Sequence, residues 1–152
     1  MAAVQAVLSV VLLVSGLALP LRAAESETMA ERTLKQIAEK QREIFAAAEK
    51  QGEKIDEEAF RAQVQSLTHE YERLLRDNPK FALAHAAYGG LLGKVGMRKE
   101  GAALLLKANQ LDSDLPYVKN QLGGYLAEEG KPLDAAPYFL AAIKLAPNER
   151  QA

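Results

Sequence analysis

The chain has 152 residues, a formal net charge of −1 and no cysteine or tryptophan. Its length allows one small domain, and the absent cysteines exclude a disulfide framework, a thiolate zinc site and a catalytic thiol. Near-neutral charge without a basic stripe gives no electrostatic footprint for nucleic acid, so no nucleic-acid partner is expected.

In chain order, the first segment is apolar. Ala2 to Leu21 carries no charge, holds the run AVLSVVLLVSGLAL, and ends on Pro20 before Arg22-Ala23-Ala24. Residues 1–24 resemble a secretory signal peptide cleaved near Ala23 or Ala24, which predicts export to a periplasmic or secreted location. No Lys or Arg precedes the apolar run, and about 20 apolar residues can just span a bilayer. A membrane anchor is therefore the alternative, and a membrane is a partner only if the segment stays uncleaved.

Residues 25–80 are charged and helical in pattern. Thr28 with Glu31 has the form of a capping box, Leu34, Ile37, Ile44 and Ala48 follow three-and-four spacing interrupted by Gln41, and Gly52 predicts a stop. Asp56 is the expected N-cap of a second helix running towards Asp77, with the stripe Phe60, Val64, Leu67, Tyr71 and Leu74. The two form a helical hairpin.

Next comes YGGLLGKVG, residues 88–96, which has the glycines and lysine of a phosphate loop. The spacing from Gly89 to Gly93 is one residue short, Val95 stands where a hydroxyl is needed, and the upstream FALAHAAY is no strand. A different order explains the glycines. At an offset of 34 residues the stretch falls on LGGYLAEEG: Gly89 meets Gly123, Gly90 meets Gly124 and Gly96 meets Gly130, and the register continues through Ala108 with Ala142. Residues 82–115 and 116–149 are two units of helix, glycine, helix. Gly96 and Gly130 are the expected left-handed helix ends, and Asp134 is the expected N-cap of the last helix, with Pro137 in its first turn.

The second unit resembles the tetratricopeptide repeat (TPR) family through Leu122, Gly123, Leu126, Ala135, Phe139, Ala142 and Pro147. The first matches through Tyr88, Gly89, Leu92, Gly101, Leu105 and Ala108, with Ser113 where proline is expected; the family's tryptophan position holds His85 in the first unit and Lys119 in the second. The resemblance implies an all-α fold, a short α-solenoid of TPR-type helix–turn–helix repeats preceded by the hairpin, and a protein-binding scaffold. Asn78-Pro79 falls in phase as the end of an earlier repeat. The resemblance also implies a ligand groove on the concave face, lined by Leu83, Ala86, Gly90 and Gly93, then Tyr117, Asn120, Gly124 and Ala127, shallow and nearly uncharged. The Lys/Asn/Arg clamp for a terminal carboxylate is missing apart from Asn120.

The two histidines, His69 and His85, lie on different helices without a metal-ligand partner, and nothing forms an activated nucleophile. The chain is therefore expected to be no enzyme and to hold no cofactor and no metal. The expected partner is a protein or peptide, taken by the groove and by an apolar C-terminal edge at Leu140 and Ile143. A homo-oligomer through that edge, or a membrane-tethered accessory of an enzyme complex, are the alternatives.

Overall fold

The computed structural model describes residues 27–146. The apolar N-terminal segment and Pro147 lie outside the described residues. Helix α1 (Met29–Gln51) begins where Thr28 and Glu31 cap each other: Glu31 N–H donates to the Thr28 hydroxyl at 3.2 Å, and Thr28 N–H donates to the Glu31 carboxylate at 2.7 Å. That second bond holds the carboxyl below its ordinary range. Gly52 ends α1 with φ of 53°, and a single 3-10 turn (Gly52–Lys54) leads to α2 (Glu57–Asp77), capped by the Asp56 carboxylate on Ala59 N–H. These features stand where the sequence places them.

Four shorter helices follow: α3 (Ala82–Lys94), α4 (Arg98–Leu111), α5 (Pro116–Glu128) and α6 (Pro132–Leu145). No strand occurs among the described residues, and no helix there is long and apolar enough to cross a membrane. The repeat extends to backbone detail. Gly96 and Gly130 have φ of 86° and 74°, and the next amide in each turn reaches back to the helix: Met97 to Leu92 O and Lys131 to Leu126 O, both at 2.9 Å. The period also reaches α2, because Asn78, Asp112 and Ala146, each 34 residues from the next, close α2, α4 and α6 alike. Helix α1, at 23 residues, is out of this pattern.

Packing explains the glycines. Gly89 on α3 and Gly101 on α4 face each other so closely that a Cβ on Gly101 would lie 2.7 Å from Gly89 O. Gly123 lies under the ring of Phe139, whose nearest atom is 2.9 Å from where a Cβ would stand. Both sit in helix seams. Ala108 and Ala135 are fully buried at the neighbouring contacts, and Leu122 is buried with Val118 against Leu105. Helix α3 is apolar on nearly all sides, as suits a helix with neighbours on several faces. Its Leu91 and Leu92 join Ile37, Leu67, Tyr71 and Leu74 in the core shared with the hairpin.

Two expectations are corrected. Helix α6 starts at Pro132 with Lys131 as N-cap, rather than at an Asp134 cap. Proline at the first position needs no amide partner and has the φ of a helix, so it starts the helix three residues earlier. Asp134 then stands in the first turn, where its charge favours the helix N-terminus. Pro137 consequently falls in the second turn and leaves Leu133 O without its intrahelical donor. Both residues are exposed, so the freed carbonyl is open to solvent.

Candidate functional site

One cavity of about 920 Å³ opens between α1, α3 and α5. The floor is α3, through Leu83, Ala86, Gly90 and Gly93; Tyr117, Asn120 and Gly124 of α5 form one wall. The stripe implied by the resemblance is thus brought together on one surface, with the exception of Ala127, which is exposed outside it.

The opposite wall comes from residues that the sequence did not single out for a site: Leu34, Ala38 and Gln41 of α1, with Tyr71 of α2 behind them. This wall makes the groove deeper than the shallow surface expected. In the sequence, Gln41 is a break in an apolar stripe. In the fold, its carbonyl accepts a hydrogen bond from the Tyr71 hydroxyl at 2.9 Å. A glutamine inside one apolar stripe, opposite a tyrosine in the next, was the available signal. The groove is also not uncharged throughout: Lys94, Arg98 and Glu128 gather at the end where α3 and α5 finish, with Arg98 paired to Glu128 and Lys94 5.4 Å over the ring of Phe45.

Tyr117 crosses this groove. Half of its side chain meets solvent, yet its hydroxyl lies against Gly90, where any Cβ would overlap it. Burial of the phenol end raises the Tyr117 pKa, and the same burial pushes Tyr71 up to about 12, with Tyr117 and Glu70 adding to the shift. Both hydroxyls are therefore neutral hydrogen-bonding groups at physiological pH. Asn120 is exposed beside them. The middle of the groove thus combines apolar and backbone surface with neutral donors and acceptors.

Gly93 and Gly124 have nothing within 4 Å of the point where a methyl would stand, so no packing contact requires glycine there. Alanine at either site is expected to raise stability by up to about 1 kcal/mol, because glycine costs that much inside a helix. The added methyl narrows the groove, so partner recovery should fall while the melting temperature rises. A melt and a binding assay on each variant read the two effects separately.

The remaining expected residues are placed as follows. His85 is buried, its Nε2–H donating to Pro79 O at 2.9 Å, and it packs in the position the family gives to tryptophan. His69 is exposed. No group of three or more His, Cys, Asp or Glu suited to a metal occurs among the described residues. Leu140 and Ile143 are 59% and 42% exposed. Leu106, one repeat before Leu140, is 45% exposed although α5 follows it, so the exposure of Leu140 mainly reflects its outward position.

No family model matches the sequence, and none of the curated proteins does. Among solved structures, the chain is similar to a mutant O-GlcNAc transferase of Thermobaculum terrenum, with 23% identity and a TM-score of 0.58. The match covers 80% of this chain and 21% of that one, and at this identity it speaks for the fold alone. Helix order, turn geometry and this likeness together define the class. The chain is a short all-α solenoid of TPR-type helix–turn–helix repeats preceded by a helical hairpin.

Proposed function

We propose that the protein is a non-catalytic interaction module, an adaptor or assembly factor that holds an uncharged, largely apolar segment of a partner protein in the groove between α1, α3 and α5. The observation that carries this reading is the convergence of Leu83, Ala86, Gly90, Tyr117, Asn120 and Gly124 on one cavity of about 920 Å³. That volume matches a binding cleft, and an apolar lining with a few neutral polar groups suits recognition of side chains and peptide backbone. The transferase activity named for the structural neighbour gives no reason to expect catalysis here, since the likeness spans only 21% of that chain.

Partner capture with the full chain tests this reading. Replacing Tyr117 and Asn120 together by alanine removes both central polar groups while sparing the glycine seams between α3 and α4 and between α5 and α6, so partner recovery should drop at least about tenfold, the equivalent of one or two lost hydrogen bonds. Unchanged recovery would remove the groove from the account.

The apolar run of Ala2 to Leu21 supports export, with a membrane-tethered accessory as the second reading. Mass spectrometry of the protein made in cells is expected to find a mature N-terminus at Ala24 or Glu25. A chain retaining Met1 to Leu21 would favour the tether.

A further inference from the structure

Gln41 stands where an apolar residue is expected. It lies between Ile37 and Ile44 on one stripe of α1, and both isoleucines are in the core. Leucine there would bury more apolar surface and leave no polar group to satisfy. What glutamine supplies instead is a carboxamide with two different ends. Its carbonyl oxygen accepts from the hydroxyl of the buried Tyr71 at 2.9 Å. That bond fixes which way the amide points. With the amide reversed, the Tyr71 O–H would meet an N–H2 group and have no acceptor among the described residues. The Gln41 nitrogen is therefore turned away from Tyr71. It has no hydrogen-bond partner among the described residues and is not one of their buried unpartnered atoms, so its two N–H donors are open to the cavity that Gln41 lines.

The Tyr117 hydroxyl, against Gly90 on the groove floor, is in the same state: unpartnered among the described residues and not sealed off. It is near enough to Tyr71 to add to the rise in that residue's pKa. Two neutral groups with unused capacity thus share a space lined mainly by apolar side chains and helix backbone. One can only donate, and the other can also accept. A charged group would lose its water between them without gaining an opposite charge, so the complement is a neutral amide, with its C=O beside its N–H. We propose that Gln41, positioned by Tyr71, selects the groove's occupant by donating to a backbone carbonyl of the partner, whose neighbouring N–H goes to the Tyr117 oxygen. This rests on the groove reading above and names what the groove recognises: a partner segment whose backbone amide is not already spent inside a helix.

N-methylacetamide, a peptide bond without side chains, is the probe, and so small an amide should bind at roughly 0.1 M. In nuclear magnetic resonance spectra of the isotope-labelled full chain, it should shift the Gln41 side-chain N–H2 signals beyond those of the exposed Gln36 and Gln65. Acetamide, which stands for an Asn or Gln side chain, and acetate, which stands for a carboxylate, should shift them less. Gln41 signals that merely follow Gln36 and Gln65, or that move most with acetamide or acetate, overturn the proposal. Tyr71→Phe reads the positioning: it should reduce the Gln41 response to that of Gln36. Tyr88→Phe is the control, because it loses a hydrogen bond of its own, to Glu72 at 3.2 Å, and leaves Gln41 anchored. Equal loss in both variants would overturn the positioning role. A silent Gln41 together with lost recovery on changing Tyr117 and Asn120 would strike this inference and leave the groove reading in place.

Discussion

Replacing Tyr71 by alanine is expected to cost about 3–5 kcal/mol of folding free energy, the range for deleting a buried aromatic side chain. The melting temperature should fall by roughly 10–20 °C, given the size scaling of the unfolding entropy. Tyr71 is 1% exposed and stacks on Tyr88 with ring centroids 5.4 Å apart and planes 9° from parallel, so it joins the hairpin to the first repeat. Its loss opens a cavity between α2 and α3 and strips Gln41 of its donor at once. Tyr71→Phe separates these effects. It keeps the ring and loses one hydrogen bond, for about 1 kcal/mol. Alkaline titration adds a second readout. Tyr71 and Tyr88 both have folded values of about 12 against an ordinary 10.0, so the folded chain holds these protons more tightly. Their contribution is whole below about pH 10 and is lost as pH rises towards 12. Tyr71→Phe should flatten part of that loss. A Tyr71→Ala variant that melts within about 3 °C of the parent would show that the hairpin does not lean on this residue.

The second large effect is expected at Gly101. Alanine there gains up to about 1 kcal/mol in helix propensity but must place its methyl 2.7 Å from Gly89 O and 3.1 Å from Gly93 N. These are backbone atoms of a packed helix, so α3 and α4 must move apart, and overpacking of this kind costs about 1–3 kcal/mol. The net result is a loss. Gly123→Ala is the comparison. Its closest neighbours are ring atoms of Phe139 at 2.9–3.0 Å, and a half-buried ring can yield where a carbonyl cannot. Chemical denaturation should therefore rank Gly101→Ala as more damaging than Gly123→Ala. The reverse order would mean that the α3–α4 crossing is looser than its geometry indicates.

The sequence was most legible where local chemistry fixes structure. Thr28 with Glu31, Gly52 and Asp56 mark helix ends because their side chains or missing side chains satisfy particular backbone groups. The offset of 34 made α3 to α6 readable, since a repeated seam must repeat its glycines and alanines. It failed at Asp134, where two start signals compete and Pro132 prevails by its fixed φ. The concave stripe on α3 and α5 came from the resemblance to a known repeat, and helical spacing only put its residues on a common face. The α1 wall was harder to read, because α1 is outside the period: Gln41 inside its apolar stripe hints at a polar partner such as Tyr71, but nothing local to Leu34 or Ala38 encodes which helix lies across from them. Leu140 shows a related limit. An apolar residue on an end helix looks like an uncovered edge, yet its counterpart Leu106 is nearly as exposed inside the array.

Glycines at Gly93 and Gly124 are the point where stability and function separate. A helix built for stability alone would carry alanine at both, since neither has a neighbour to accommodate. Their presence on the surface of the groove fits a floor that brings partner atoms close to the backbone, at the expense of some helix stability.

The most direct measurement is a nuclear magnetic resonance titration of the isotope-labelled full chain with its captured partner. The expected shifts centre on Leu83, Gly90 and Gly93 of α3 and on Tyr117 and Gly124 of α5, with Leu34 of α1 following and Leu133 of α6 unmoved. Shifts confined to α6, or scattered over the outer faces while α3 and α5 stay silent, would contradict the groove as the binding site.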